Sequence, residues 1–570
     1  MRSGARLNQV IDAEIALIER WISPRVLGWL LISLIGVALL VRLVWIWRYG
    51  LVIENESTQY ARIAQSLAEG SGFVGTLGDR QTLAPPLFPV LIVFLAPFAG
   101  GEELAGRLIS CFSGLLLIFA AFEIARHIAG RHAGIAAAGI VGGHAVAIGF
   151  SAAGYGEGLY FALLFSATAL LLRAIQQPSV VSWLVTGVAY GLAYLTRPET
   201  VAYFALALVF GAIMLGRGNT IFQTGRLLAI ATLAFAILAA PYVWWLSSNS
   251  GYFRLEGKSI FTGIVAESMS QGMSYHEATR RISPDLEPLG PDLIADQFEY
   301  PRPAGVGLTS ALQTVAQNLL PGTRRVLSIW IGEPDTGNAR MAALAVLGLI
   351  ASMFVRRARA TAVLFLCMTG GYIAMLLSIS FYEWLRYIYP LTFFVIIWAA
   401  VGIATAASAS SRAVHRLGMS SRAQILVISF VLVVGVASVT VPSLPMRYGS
   451  VFGESHSPYA QVLRGAGEEI SSFGIEQPRV MTLSSVISYY ANGDLVYYPW
   501  VREDETSLAL RFIHDRKPDF LVLRTAELEF LPFTKTWLGD GVPDQCAEEL
   551  SRRSEPPSGE LIVYRWNCAG

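Results

Sequence analysis

The sequence predicts a polytopic α-helical membrane protein that ends in a separate α/β domain, and three observations carry that expectation. Of 570 residues, 54% are hydrophobic and 15% are charged, where a soluble domain carries about 25% charged residues; the mean hydropathy is +0.52. Apolar runs near the length of about 20 residues that crosses a bilayer recur between residues 26 and 441. Beyond residue 441 the pattern changes to short apolar runs with helical stretches between the early ones, which reads as a helix-covered sheet. The formal net charge of +1 singles out no partner, and nothing calls for nucleic acid.

Taken in order, residues 1–25 carry Arg2, Arg6, Arg20 and Arg25 and no signal-peptide pattern, so they read as a cytoplasmic segment before a first span at 26–47. Residues 54–89 then lie outside. Within them Tyr60, Ile63, Ala64 and Leu67 recur at helical spacing over 56–68, and Gly70 and Gly72 stop that helix. The apolar run 86–98 is too short to cross a core that needs about 20 residues, and a crossing there would strand Arg126, His127 and Arg131 outside; it reads as a re-entrant or interfacial helix.

The next spans fall at 104–127, 133–152, 158–174, 181–195, 200–216 and 227–246, the pair at 181–216 being the shortest. A long outer loop, 247–338, includes a partly amphipathic stretch at 306–332 that reads as a surface helix. Four more spans follow at 339–355, 361–380, 389–409 and 423–441, with Arg356, Arg357 and Arg359 marking a cytoplasmic turn. This gives about 11 transmembrane helices. The expected parts are a cytoplasmic segment 1–25, a membrane domain 26–441 with outer loops 48–103 and 247–338, and an extracytoplasmic α/β domain 442–570. In that last domain 479–483, 495–498, 520–523 and 561–564 read as strands, and 458–472 and 505–516 as helices. Of four cysteines, Cys111 and Cys367 lie in apolar segments, whereas Cys546 and Cys568 form a candidate disulfide in an oxidising compartment, with two free thiols as the alternative.

This topology, drawn only from apolar length and Lys/Arg bias, gathers Glu54, Glu56, Arg107, Glu157, Arg197, Glu199, Glu383 and Arg386 on the outer side. Long cations at span ends can be mere snorkelling anchors; short carboxylates cannot reach far, so they are the stronger candidates for function. Gly154, Gly156 and Gly158 leave space beside Glu157. Such a set suits group transfer from a lipid phosphate: a carboxylate removes the proton from an acceptor hydroxyl, and arginines hold the phosphate. No cofactor is called for, and the seven histidines lack metal-ligand spacing; a divalent metal stays open. His144 reads as a packed or hydrogen-bonded core residue.

The residues then show a resemblance. Glu56…Tyr60, the run Ala64-Gln65-Ser66-Leu67-Ala68-Glu69-Gly70-Ser71-Gly72-Phe73, Pro85-Pro86-Leu87-Phe88-Pro89, Arg107-Leu108, Glu157, Gly191 to Glu199 and Arg386-Tyr387…Pro390 follow in an order and sidedness similar to the GT-C glycosyltransferases, in the bacterial branch of the protein O-mannosyltransferases and the lipid A aminoarabinose transferase. The resemblance covers roughly residues 30–440. It implies inverting transfer of a sugar from a polyprenyl-phosphate donor to an acceptor lipid, glycan or protein at the extracytoplasmic face of the inner membrane. It also implies roles: Glu56 as general base with Glu54 competing, Glu157 as second acid, Arg197, Arg386 and Arg107 on the donor phosphate, and Tyr60, Glu199 and Tyr387 on substrate. The family's first-loop acid is usually Asp, and here it is Glu, with Ser57 where a second acid often stands. Two other classes remain: a transporter or flippase of lipid-linked sugars, and a noncatalytic GT-C-like protein. Transporters favour inverted repeats and midplane charges; here no repeat is seen and the charges sit at the outer span ends.

Overall fold

The computed structural model describes residues 24–49, 55–294, 296–299, 308–333, 339–355, 358–378, 385–443, 458–555 and 559–568. These fall into two compact units, one within 1–46, 107–242 and 312–447, the other within 47–106, 243–311 and 448–570.

The first unit is built of apolar helices. Among the described residues, seven helices are long and apolar enough to cross a membrane: Arg25–Trp47, Glu102–Gly143, Gly156–Gln176, Ile221–Ser250, Arg359–Leu377, Leu391–Arg416 and Ser421–Ser443. Val180–Tyr194, Thr200–Leu215 and Ala339–Phe354 are shorter apolar helices, as is Leu87–Ala99 in the second unit. Each of the eleven segments expected to span therefore overlaps an apolar helix. Two of them share the 42-residue helix Glu102–Gly143, which breaks at Ala129 and at Gly130 with φ 80°. Unbroken, it would run about 63 Å at 1.5 Å per residue, twice a hydrocarbon core of about 30 Å; the break falls beside Arg126, His127 and Arg131. The helices approach closely where they are small: a side chain at Gly402 would collide with the Leu344 carbonyl, and one at Gly348 with that of Trp398. Phe161, Phe165, Phe365 and Phe394 form an edge-on aromatic core.

The segment expected at 133–152 is interrupted at His144, which caps the six-residue helix Ala145–Phe150 through its own ring, Nδ1 accepting from Val146 N at 3.3 Å. A helix end inside the membrane leaves carbonyls that lipid cannot satisfy. Arg42, fully buried on the first span, donates to two of them, Val141 O and Gly142 O, each at 3.2 Å, and to Ala38 O at 3.1 Å. Ser443 Oγ accepts from Ala145 N at 3.1 Å.

The second unit surrounds a five-stranded sheet, β1 Arg479–Met481, β2 Asp494–Val496, β3 Phe520–Arg524, β4 Ala547–Glu555 and β5 Gly559–Trp566, in the order β2-β1-β3-β5-β4. β2, β1 and β3 are mutually parallel, and β5 runs antiparallel to both of its neighbours, β3 and β4. Both faces are covered. Phe520 and Val522 pack with Leu463 and Ile470 of the Pro458–Ser471 helix, while Leu521 and Leu523 pack with Phe512 of the Thr506–Arg516 helix and with Trp537. That is why β3 is buried at every position and reads as a continuous apolar run. β4 reads Ala-Glu-Glu-Leu-Ser-Arg-Arg-Ser-Glu, a charged edge strand that apolar patterning does not find. Cys546 and Cys568 are joined in a disulfide, Cα atoms 5.1 Å apart, across the end of the β4–β5 pair.

Two earlier stretches of chain complete this unit. The helix expected at 56–68 is present as Asn55–Ala68. Its apolar side packs on the Leu87–Ala99 helix, with Tyr60 edge-on to Phe88 at 5.0 Å. Its polar side is buried too: Thr58 donates to Ser485 Oγ at 2.8 Å, and Arg62 reaches Asn492 Oδ1 at 3.1 Å and Asp494 Oδ1 at 3.4 Å. The loop after it is held at both ends, by Leu495 N donating to Thr76 O at 2.7 Å and Thr82 N donating to Gln297 Oε1 at 2.7 Å. Trp500 N donates to Arg280 O at 2.6 Å, tying the second stretch, 243–311, to the sheet region.

Candidate active site

In the first unit a charged cluster is assembled from three helix ends. Glu157 stands in the first turn of Gly156–Gln176, where the unpaired amides of a helix start favour a carboxylate. The helix can start there because Gly154 takes φ 74° and because Gly158 lies against the Phe150 carbonyl, where a Cβ would sit only 2.7 Å away. Those glycines thus serve close backbone approach as much as space for the acid. Arg197 lies in the turn between Val180–Tyr194 and Thr200–Leu215. That turn is fixed by Thr196 Oγ donating to Ala193 O at 2.6 Å and Thr200 Oγ donating to Arg197 O at 2.8 Å.

Arg197 is shared between two acids: its Nε is 3.3 Å from Glu199 Oε1 and its Nη2 3.9 Å from Glu157 Oε1. Its guanidinium carbon lies 5.7 Å from the centre of the Tyr160 ring. Tyr203 and Tyr372 are within electrostatic reach of Arg197 and Glu199. Tyr372 donates to the carbonyl of Tyr387 at 2.8 Å. The buried hydroxyls of Tyr160 and Tyr203 have no hydrogen-bond partner among the described residues. Beside the half-buried ion cluster, these two hydroxyls are donors open to a further partner.

Of the residues singled out in the sequence, Glu157, Arg197 and Glu199 come together here, with the Tyr387 backbone joined through Tyr372. Arg107 is buried in the same unit, on Glu102–Gly143. Glu56 and Tyr60 belong to the second unit, Glu56 half-buried in the first turn of its helix and Tyr60 buried. Glu54 and Glu383 lie outside the described residues, as does the side chain of Arg386 at the start of Leu385–Ile388. Sequence reasoning passed over Tyr160, Tyr203 and Tyr372. Two had a signal: Tyr160 stands three residues after Glu157, and Tyr203 four after Glu199, spacings that share one helix face. Tyr372 arrives from a distant helix and had none. Among the described residues one trio has metal-ligand geometry, His514, Asp544 and Cys546, and its sulfur is committed to the disulfide.

The comparisons with known proteins agree with this architecture. A family model described as dolichyl-phosphate-mannose-protein mannosyltransferase matches residues 84–245. No curated protein matches the sequence significantly. The chain is similar to the oligosaccharyltransferase AglB from Archaeoglobus fulgidus in complex with an inhibitory peptide and a dolichol-phosphate, with 13% identity and a TM-score of 0.59 over 89% of this chain and 70% of that one. For the apo form of the same organism's enzyme the values are 13% and 0.59, over 96% and 75%. ArnT from Cupriavidus metallidurans bound to undecaprenyl phosphate is similar at 15% identity and a TM-score of 0.50, over 95% of this chain and 98% of that one. At such identities the likeness is one of fold, and this chain therefore has the fold of the GT-C integral-membrane glycosyltransferases.

Proposed function

We propose that the protein transfers a sugar from a polyprenyl-phosphate donor to an acceptor hydroxyl, with inversion, at the extracytoplasmic face of a bacterial inner membrane. The observation that carries this reading is the cluster of buried Glu157 with half-buried Arg197 and Glu199, beside the unpartnered hydroxyls of Tyr160 and Tyr203, set in a GT-C fold. In the proposed reaction the acceptor oxygen attacks the anomeric carbon from the face opposite the phosphate. The bond from that carbon to the phosphate oxygen breaks, and polyprenyl phosphate leaves with the electron pair. The acceptor proton passes to a carboxylate, assigned to Glu56 with Glu54 as its competitor.

Arginine suits the leaving phosphate because its planar fork matches two phosphate oxygens. Arg197 is the first candidate, with Arg386 and Arg107 as further ones. A phosphate at Arg197 competes with its looser carboxylate contact, the 3.9 Å one to Glu157, and so frees Glu157 for the second acidic role. The tyrosine hydroxyls offer donors for sugar or phosphate oxygens. Donor, membrane lipid and an acceptor lipid, glycan or protein are the implied partners. The test is donor affinity in the purified protein. Arg197→Ala and Arg386→Ala should each weaken binding of an undecaprenyl-phosphate sugar about tenfold or more, the loss of one charge-assisted hydrogen bond. Unchanged affinity in both variants would remove the phosphate role.

A further inference from the structure

The second unit holds a cavity of about 320 Å³ that the proposed reaction does not use. Three stretches of chain build it: Leu77 to Asp79, Asp292 and Leu293, and residues of the sheet domain from Arg479 to Arg516. Its shape is preformed. Gly78, at φ 79°, brings the first stretch against Asp494, where a Cβ would lie 2.6 Å from Oδ2. The bond from Leu495 N to Thr76 O holds that approach, and Arg62 holds Asp494 from behind at 3.4 Å.

The lining mixes two kinds of surface. Asp79, Asp292 and Asp494 supply carboxylates, and Arg479 and Arg516 supply guanidiniums. Leu77, Val496 and Phe512 supply apolar wall. Arg516 lies over the Phe512 ring at 5.1 Å, and its buried Nε has no hydrogen-bond partner among the described residues, the Asp515 carboxylate being 3.7 Å away. Behind Asp292 the fully buried guanidinium of Arg280 has both terminal nitrogens without a hydrogen-bond partner among the described residues.

The chemistry of the lining narrows the ligand. A hard cation needs carboxylates that converge, and these three do not form a ligand set: the one such trio among the described residues is elsewhere. An anion would meet three carboxylates against two guanidiniums. An apolar ligand would strip water from five charged groups at high cost. A sugar ring fits all of it: adjacent hydroxyls donate to carboxylates, ring and hydroxyl oxygens accept from guanidinium, and the C–H face packs on the apolar wall. The volume is at the low end of small-molecule pockets, which run from about 300 to 1,000 Å³, so it admits one or two rings and no long chain.

We propose that this cavity is a carbohydrate-binding site, taking one neutral sugar residue of a glycan. It does not rest on the transfer reaction, because binding is read without donor or turnover. The test is saturation-transfer difference NMR on the full chain, held in nanodiscs or in an amine-oxide detergent so that no maltoside competes. The probes are the methyl glycosides of mannose, glucose, galactose and N-acetylglucosamine, with inorganic phosphate as competitor. At least one glycoside should show transfer at millimolar concentration. The signal should fall about tenfold in Asp292→Ala, which removes one charged acceptor, and also in Leu77→Trp, which fills the space from a half-exposed loop. The unfolding temperature of each variant separates loss of binding from loss of fold, and the two variants fail for different reasons if they fail. Three results each overturn the proposal: no transfer to any glycoside, transfer untouched by both substitutions, or displacement of the sugar by phosphate, which would make this an anion site.

Discussion

Two buried arginines, one in each unit, are satisfied in opposite ways. In the helical unit Arg42 is fully buried and its described hydrogen bonds all go to backbone carbonyls, two of them at a helix end next to a break. In the sheet-containing unit Arg524, equally buried, is held by two carboxylates, Glu527 Oε1 at 2.5 Å and Glu555 Oε1 at 3.0 Å. The difference follows from what each environment must satisfy. Apolar helices that break leave carbonyls unmet, and a cation placed there repairs the backbone. A sheet pairs its own backbone, so Arg524 at the end of β3 finds no open carbonyl and is met by anions instead.

Ways to break this comparison can be ordered by expected size. The largest effect should come from Arg524→Met, which removes the cation held between Glu527 and Glu555; breaking a buried ionic group by removing one partner costs about 3–5 kcal/mol. Thermal unfolding should show a clear drop. Arg42→Leu should cost less, about 1–3 kcal/mol, because it orphans carbonyls but also removes a buried charge. If Arg42→Leu proved the more damaging of the two, the contrast between these two arginines would be wrong.

The smallest effect concerns pH and lies wholly within the second unit. Burial raises the Asp292 carboxyl to about 6, with Arg280 and the hydrogen bond from Thr279 opposing. Burial lowers the His276 imidazole to about 4, with Arg280 adding to the shift. A raised acid binds more protons folded than unfolded, so its contribution to stability falls as pH rises from about 4 to about 6. A depressed histidine binds fewer protons folded, so its contribution grows from about 4 to about 6.5. The two slopes oppose each other. Relative to the parent protein, Asp292→Asn should make stability rise more steeply with pH, and His276→Gln should make it rise less steeply or fall. Unfolding temperatures taken across pH 4–7 check both signs, and matching slopes in the two variants would contradict the assignment.

How much was legible in the sequence follows the same division. The apolar segments were found because a bilayer demands length and hydrophobicity, and both are visible in a single run of residues. Val180–Tyr194 and Thr200–Leu215 are short because the turn between them carries Arg197 and Glu199. Arg42 could be seen inside its span, yet its role could not, since it depends on a break at His144 a hundred residues away. In the second unit β3 was legible as an apolar run, whereas β4 was not, because an exposed edge needs charge. That 47–106 and 243–311 pack with the sheet domain was also hidden, since apolar helices of the first unit intervene along the chain and nothing local records the pairing of Arg62 with Asp494. For the site, acids and arginines at span ends announced Glu157, Arg197 and Glu199; the tyrosines around them needed three-dimensional packing.

In the function proposed for it, this chain breaks the bond between a sugar and polyprenyl phosphate. The most direct measurement is release of polyprenyl phosphate from a panel of radiolabelled polyprenyl-phosphate sugars, with purified protein and with envelope lipids and glycans supplied as acceptors. The account predicts release from at least one donor, lost in Glu56→Gln, which keeps shape and removes the base, while donor binding persists. Release that survives in Glu56→Gln would move the base to Glu54 or Glu157. No release from any donor, by folded protein that binds one of them, would contradict the transferase reading and leave a protein that holds lipid-linked sugar without transferring it.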